Sequence, residues 1–315
     1  MAQEYTNTVR TCQQLLLEFN NLNFKGDSSK IHFSGVDSGK DVYNITAPFV
    51  SGGKRYIGGR VESRDSEQSQ VFFFEQSGDA WAADARIKPL NLQDPFIAHI
   101  NGVLVVGGVE IFDDEENPGK LNYRTIFYKG SDLSQLERFA KGPDRMKDIR
   151  LGQLSDGRIL VMTRPQGTIG GRGKVGYIII KSLEELDTEH INRATILENQ
   201  FVPEEWGGCN ELHMLANGKV GILSHIAKYD EDGNRHYYAS CFCFNPETGD
   251  YSPMKLIAVR ANFADGPSKR PDLADVIFSG GLVRLENGKA QLYCGAGDAE
   301  GHTITIDDPF KEWER

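Results

Sequence analysis

A chain of 315 residues is long enough to bury a sizeable core, and 35 Lys and Arg against 45 Asp and Glu give it a formal charge of -10. That balance argues against non-specific binding to nucleic acid or to an anionic membrane surface, and an anionic substrate would need a locally basic site. No apolar run approaches the roughly 18 residues of a membrane helix, and the N-terminus MAQEYTNTVR lacks a signal peptide's apolar core, so a cytoplasmic protein is expected.

The first element is an amphipathic helix over about 6–21, with Val9, Cys12, Leu15, Leu16 and Phe19 at helical spacing. Strands dominate after it. Turn pairs recur at Gly52-Gly53, Asn101-Gly102, Asp156-Gly157, Asn217-Gly218 and Asn287-Gly288. Each is followed by a largely apolar run: RYIGGRV, VLVVGGV, RILVMTR, KVGILSHI and AQLYCGAG.

These runs are units of an internal repeat. Its anchors, Asn44, Asp94, Asp148, Glu211 and Asp275, are 50, 54, 63 and 64 residues apart. Several strands per unit at such a period mark a propeller. The expected fold is all-β, one five-bladed β-propeller domain over residues 1–315 with a short N-terminal helix. The last unit is one strand short, and IHFSG at about 31–35 is expected to complete it. The segment GTIGGRGKVG, 167–176, hints at a phosphate-binding loop. Thr168 and Val175 break that pattern, and it reads as a hairpin loop. Five cysteines in no disulfide or zinc spacing, with Cys241 and Cys243 alternating in CFCF, read as buried thiols.

In a propeller the innermost strand of each blade runs along a central channel. Four of the five anchors at those strand starts are acidic, and the second strands end in Arg60, Glu110, Arg164, His225 and Asp298. One funnel would gather them all. A single such Asp serves equally well to bind turn amides, and Asp148, between Lys147 and Arg150, suits an ion pair. Pro95 fixes its own φ and biases Asp94 towards extended backbone, which would aim its carboxylate.

The stretch QDPFI resembles the Glu-Asp-Pro-Arg motif of the inverting β-mannoside phosphorylases, though Gln93 and Phe96 stand where that family has Glu and Arg. The whole chain is more similar to a sister group, the β-1,2-mannan (mannogen) transferase-phosphorylases, once catalogued as a domain of unknown function. LQDPF, KDIRLGQL with TRPQG, CNELHML with LSHI, and KRPDLADVIFSGGL carry the likeness. The resemblance implies inverting mannosyl transfer. Phosphate would release mannose 1-phosphate from a β-1,2-manno-oligosaccharide, and mannose 1-phosphate or GDP-mannose would drive the reverse. It implies Asp94 as the catalytic carboxyl.

Phosphate is already an anionic nucleophile, so such an enzyme needs one acid and a cationic cradle, not the two carboxyls of a hydrolase. The expected phosphate ligands are Arg150, Arg164, Arg270, His213 and Lys147. Asn44, Asp148, Glu211, His225 and Asp275 are expected to bind the sugar. No metal or other cofactor, nucleic acid or membrane partner is expected. An arabinanase-like hydrolase and a non-enzymatic binding propeller are the rival readings.

Overall fold

The computed structural model describes residues 8–24, 26–115 and 117–314. Helix α1 (Cys12–Asn21) is shorter than expected: residues 6 and 7 lie outside the described residues, and Val9 precedes the helix. A capping box between Thr11 and Gln14 fixes its start. The Glu205 carboxylate also accepts from the Cys12 amide at 2.9 and 3.0 Å. Cys12, Leu15 and Phe19 are buried in a cluster with Ile226, Phe242 and Leu256, so the predicted apolar face does bind the sheets.

Strands follow in chain order. β1 (Asp27–Lys30) and β2 (Phe33–Ser34) come first. Unit one holds β3 (Lys40–Tyr43), β4 (Phe49–Ser51), β5 (Lys54–Ser63), β6 (Gln70–Ser77) and β7 (Ala80–Ala83). Unit two holds β8 (Gln93–Ile100), β9 (Val103–Asp113), β10 (Leu121–Gly130) and β11 (Glu137–Lys141). Unit three holds β12 (Arg150–Gln153), β13 (Ile159–Thr163), β14 (Gly176–Ile180) and β15 (Thr195–Ile196), with short helices α2 (Gly167–Gly170) and α3 (Thr188–Ile191) between strands. Unit four holds β16 (Trp206–Met214), β17 (Val220–Tyr229), β18 (Arg235–Phe244) and β19 (Lys255–Ala258). Unit five holds β20 (Asp275–Arg284), β21 (Lys289–Ala296) and β22 (Glu300–Asp307).

Within each unit, strands consecutive in sequence pair antiparallel, and β3 and β4 are two halves of one strand along β5. All five predicted turns separate the first strand of a unit from its second. The second strands β5, β9, β13 and β17 are buried in long unbroken runs. Units cover them on both faces, so their apolar residues do not alternate.

The missing strand of unit five is β1, which pairs antiparallel with β22 from Asp27↔Thr305 to Lys30↔His302. The predicted 31–35 segment lies just beyond it, and there Phe33–Ser34 pairs in parallel with β7 of unit one. The chain thus crosses from unit five to unit one between Lys30 and Phe33. The polar stretch DSSK, not the apolar IHF, makes the outer strand, as suits an exposed edge.

First strands of neighbouring units touch: β8 with β12, β12 with β16, and β16 with β20. Three of these first strands, β8, β16 and β20, also carry an irregularity. Register shifts lie between Gln93 and Phe96, Cys209 and Glu211, and Ser279 and Gly281. Asn44 interrupts unit one after β3, and Asp148 precedes β12. At Gly280 the fit is extreme: a Cβ would stand 1.7 Å from the Ile45 carbonyl oxygen. Backbone, not a flexible side chain, is in the way. Gly280→Ala is therefore expected to lower thermal stability by ~1–3 kcal/mol or more, the range for overpacking; an unchanged Tm would mean units one and five do not meet this closely. No helix among the described residues is long and apolar enough to cross a membrane.

Candidate active site

All five units contribute to one cavity of about 590 Å³. Unit one supplies Asn44 and Arg60, unit two Asp94 and Val109, and unit three Asp148 and Arg164 with Lys147 ahead of it. Unit four supplies Trp206, His225 and Tyr237, and unit five Phe278 and Asp298.

Among the described residues, eight non-glycine positions have positive φ, and four of them line this cavity: Asn44 at 45°, Asp94 at 47°, Asp148 at 59° and Asp298 at 51°. Asn and Asp tolerate that left-handed backbone better than other side chains. Strain is stored where their polar tips must enter the cavity. The extended backbone expected for Asp94 is thus corrected. The irregularity at the start of β8 overrides the bias from Pro95, and the carboxylate is aimed by a left-handed kink.

Asp94 is buried. Its Oδ1 accepts from Asn44 Nδ2 at 2.8 Å and from Arg60 Nη1 at 3.2 Å. Arg60 also donates through Nη2 to Glu62 at 2.7 Å, and Glu62 is shared with Lys269 at 3.1 Å. Burial pushes the Asp94 carboxyl up, but Arg60, Lys147 and the Asn44 amide outweigh it and hold its pKa below the ordinary value.

A second polar cluster surrounds Asp148. Arg164 Nη1 donates to its Oδ2 at 2.7 Å, Arg150 Nη2 stands 3.8 Å from Oδ1, and His225 Nε2 stands 3.9 Å from Oδ2. Burial opposes ionisation, yet Arg164, Lys147 and Arg150 keep Asp148 well below the usual carboxylate range. His225 is neutral: burial and the neighbouring cations push its pKa down to about 3. Its Nδ1 is 2.8 Å from Asn210 Oδ1, which accepts the ring N–H.

Lys147 stands apart. Among the described residues, no carboxylate lies within 4 Å of its ammonium, which nevertheless faces the cavity. Burial pulls it down, but Asp148, Tyr237 and Asp94 more than offset this, so it stays charged. Arg164 keeps a buried Nε with no partner. These are the donors available to an anion.

Other expected residues are placed elsewhere. Glu211 and His213 pair with each other at 2.8 Å, and Glu211 accepts from the Leu282 amide at 2.7 Å. Glu211 lines a second cavity of about 410 Å³, along with Thr46, Phe96, Gly152 and Gly280. The residue at the unit-four irregularity is Asn210, not Glu211, and a one-residue offset along a strand sends a side chain to the opposite side. Arg150 also belongs to that second cavity. Its guanidinium is buried, donating to the Asn210 and Ile149 carbonyls at 2.9 and 3.1 Å.

Asp275 misses the cavity for the same reason of alternation: Val276 and Phe278 face in, while Asp275 takes His236 at 2.6 Å and Tyr238 at 3.1 Å. Arg270 reaches only the rim, tied to Glu67 at 3.0 Å and Asp272 at 3.2 Å. Glu110 turns away to Arg124 at 2.7 Å and Arg138 at 2.8 Å.

The rim holds what the sequence reading missed. Arg172, from the glycine-rich segment read as a hairpin loop, lies over the rings of Trp206 and Tyr229, at 6.0 and 5.5 Å. Two basic residues in a loop at the anchor end of unit three were the available signal.

The comparisons with known proteins agree with this architecture. The mannose phosphorylase MPT-4 from Leishmania mexicana, in complex with phosphate, is 36% identical over 95% of this chain and 94% of its own, with a TM-score of 0.87. The GDP-Man-dependent mannosyltransferase MPT-1 from the same organism is 33% identical, over 96% and 95%, with a TM-score of 0.86. A β-1,2-mannobiose phosphorylase from Listeria innocua shares the all-β fold at 14% identity, over 89% and 94%, with a TM-score of 0.62. A search of curated proteins gives no significant match. The family model described as Protein of unknown function (DUF1861) matches residues 18–312, nearly the whole repeat architecture, and the chain belongs to that family.

Proposed function

We propose that this protein is an inverting mannosyl phosphorylase or transferase acting on β-1,2-linked manno-oligosaccharides. The observation that carries this reading is the pairing, in one cavity, of a kinked, buried carboxylate, Asp94, with an ammonium, Lys147, that has no carboxylate of the described residues within 4 Å. Water, a neutral nucleophile, needs no cation to hold it, whereas phosphate does. The likeness to a mannose phosphorylase and to a GDP-Man-dependent mannosyltransferase, each above 30% identity, supports the sugar and the reaction class. The five units are read as the blades of one five-bladed propeller over residues 1–315, with the cavity at one mouth of its channel, and cytoplasmic placement is retained.

In the proposed reaction a phosphate oxygen, held by Lys147 and Arg164, attacks the anomeric carbon. The glycosidic C–O bond breaks, and its electron pair stays on the leaving oxygen. That oxygen takes a proton from Asp94, and mannose 1-phosphate forms with inversion. In reverse, Asp94 takes the proton of the acceptor hydroxyl, while mannose 1-phosphate or GDP-mannose supplies the mannosyl group. Asn44, Asp148 and His225 are assigned to the sugar. Asn44 and Asp148 carry the same kinked backbone as Asp94, and His225 adjoins Asp148. No step needs a metal or other cofactor.

Incubation with β-1,2-mannobiose and phosphate is expected to release mannose 1-phosphate and mannose. Release of free mannose alone, independent of phosphate, would replace this reading by hydrolysis.

A further inference from the structure

Phosphorolysis needs a proton on the leaving oxygen, yet Arg60 and Lys147 hold Asp94 ionised. The proton must reside elsewhere in the resting protein. Asp298 stands on the other side of Asn44. The same Asn44 Nδ2 that donates to Asp94 at 2.8 Å lies 3.4 Å from Asp298 Oδ1. One –NH₂ group thus faces both carboxyls. Asn44 has little room to turn away, since a Cβ on Gly295 would stand 2.0 Å from its Oδ1. Both carboxyls sit on left-handed backbone, and both line the cavity.

Their surroundings differ in charge. Arg60 reaches Asp94 at 3.2 Å, whereas no basic group of the described residues comes within 4 Å of Asp298. The groups around the pair are Arg60 and Glu62 on β5, Tyr43 on β3, Lys147 and Asp148 ahead of β12, and Lys269, which Glu62 and Glu67 hold. Burial, and then the Asp94 charge against the pull of Arg60, leave the Asp298 carboxyl raised above its ordinary value. Two neighbouring carboxyls pushed apart in this way divide the roles of proton holder and proton acceptor.

We propose that Asp298 is the second carboxyl of the acid–base device and holds, in the resting protein, the proton that the leaving oxygen receives through Asp94. This rests on the phosphorolysis proposed above. A bound phosphate neutralises part of the field of Lys147, so Asp94 is less strongly held as an anion. The proton then passes from Asp298 to Asp94 through cavity water, leaving Asp298 ionised. Asp94 gives the proton to the leaving oxygen as the C–O bond breaks. One proton from solvent restores the pair after the products leave.

Asp298→Asn removes the holder and leaves Asp94 with its depressed pKa. Phosphorolysis turnover at pH 7 is expected to fall by ~10-fold or more, since one pKa unit is tenfold in protonated fraction. The loss should shrink on acidification towards pH 5, because the protonated fraction of Asp94 rises about tenfold with each pH unit. The KM for phosphate should hold, and Asp298→Glu should restore much of the neutral-pH rate. A fractional loss equal at every pH, or no loss, would overturn the proposal. If Asp298→Asn does not fold, infrared spectroscopy of the wild-type protein decides. A protonated-carboxyl band persisting at neutral pH supports a carboxyl proton holder, and its absence overturns one. Failure of the wild-type protein to make mannose 1-phosphate would instead sink the reaction assignment, and the infrared arm would still judge the carboxyl.

Discussion

Asp94→Asn is expected to lower turnover by on the order of 10²-fold or more, the usual cost of losing a positioned general acid or base. The variant should fold. An amide oxygen can still accept from Asn44 Nδ2 and Arg60 Nη1, the two donors that reach Asp94 Oδ1. Arg60 is not stranded as a buried charge, because Glu62 takes it at 2.7 Å. Sugar and phosphate binding should persist, since Asp94→Asn leaves Lys147 and Arg164 in place. A purely structural Asp94 predicts the reverse: a lower Tm, with turnover per folded molecule nearly intact. Measuring melting temperature and turnover on this one variant separates the two.

Lys147→Met is expected to raise the KM for phosphate by roughly 10- to 100-fold, taking ~1.5–3 kcal/mol for a hydrogen bond to a charged group. The Tm should hold, because no described carboxylate within 4 Å loses its partner. Arg150→Ala would be a poorer probe. It opens a buried site beside Asp148, and deleting one member of such a cluster commonly costs ~3–5 kcal/mol. Its loss of activity would report unfolding as readily as phosphate binding. Lys147→Arg should recover part of the affinity by restoring the charge. An unchanged phosphate KM in Lys147→Met would remove this residue from the cradle.

The sequence alone was enough for the units and their turns. Glycine- and asparagine-bearing turns and unbroken apolar runs are local properties, set by the φ each turn demands and by burial on both faces. The Asn and Asp anchors at 44, 94 and 148 were legible from their spacing at the starts of the units, whereas their left-handed backbone was not. The register of units four and five was not legible. There the irregularity falls on Asn210 and Gly280, so the nearest acids, Glu211 and Asp275, were taken as anchors and proved to face elsewhere. The fate of each cation was equally hidden. Arg150, Lys147, Arg270 and His213 look alike as basic residues near anchors. Only the assembled units show that Arg150 is spent on carbonyls, Arg270 on Glu67 and Asp272, and His213 on Glu211, while Lys147 lines the cavity with no carboxylate of the described residues within 4 Å. Charge pairing and burial depend on which strands become neighbours, and residues as far apart in sequence as Asn44 and Asp298 meet only when unit five closes against unit one.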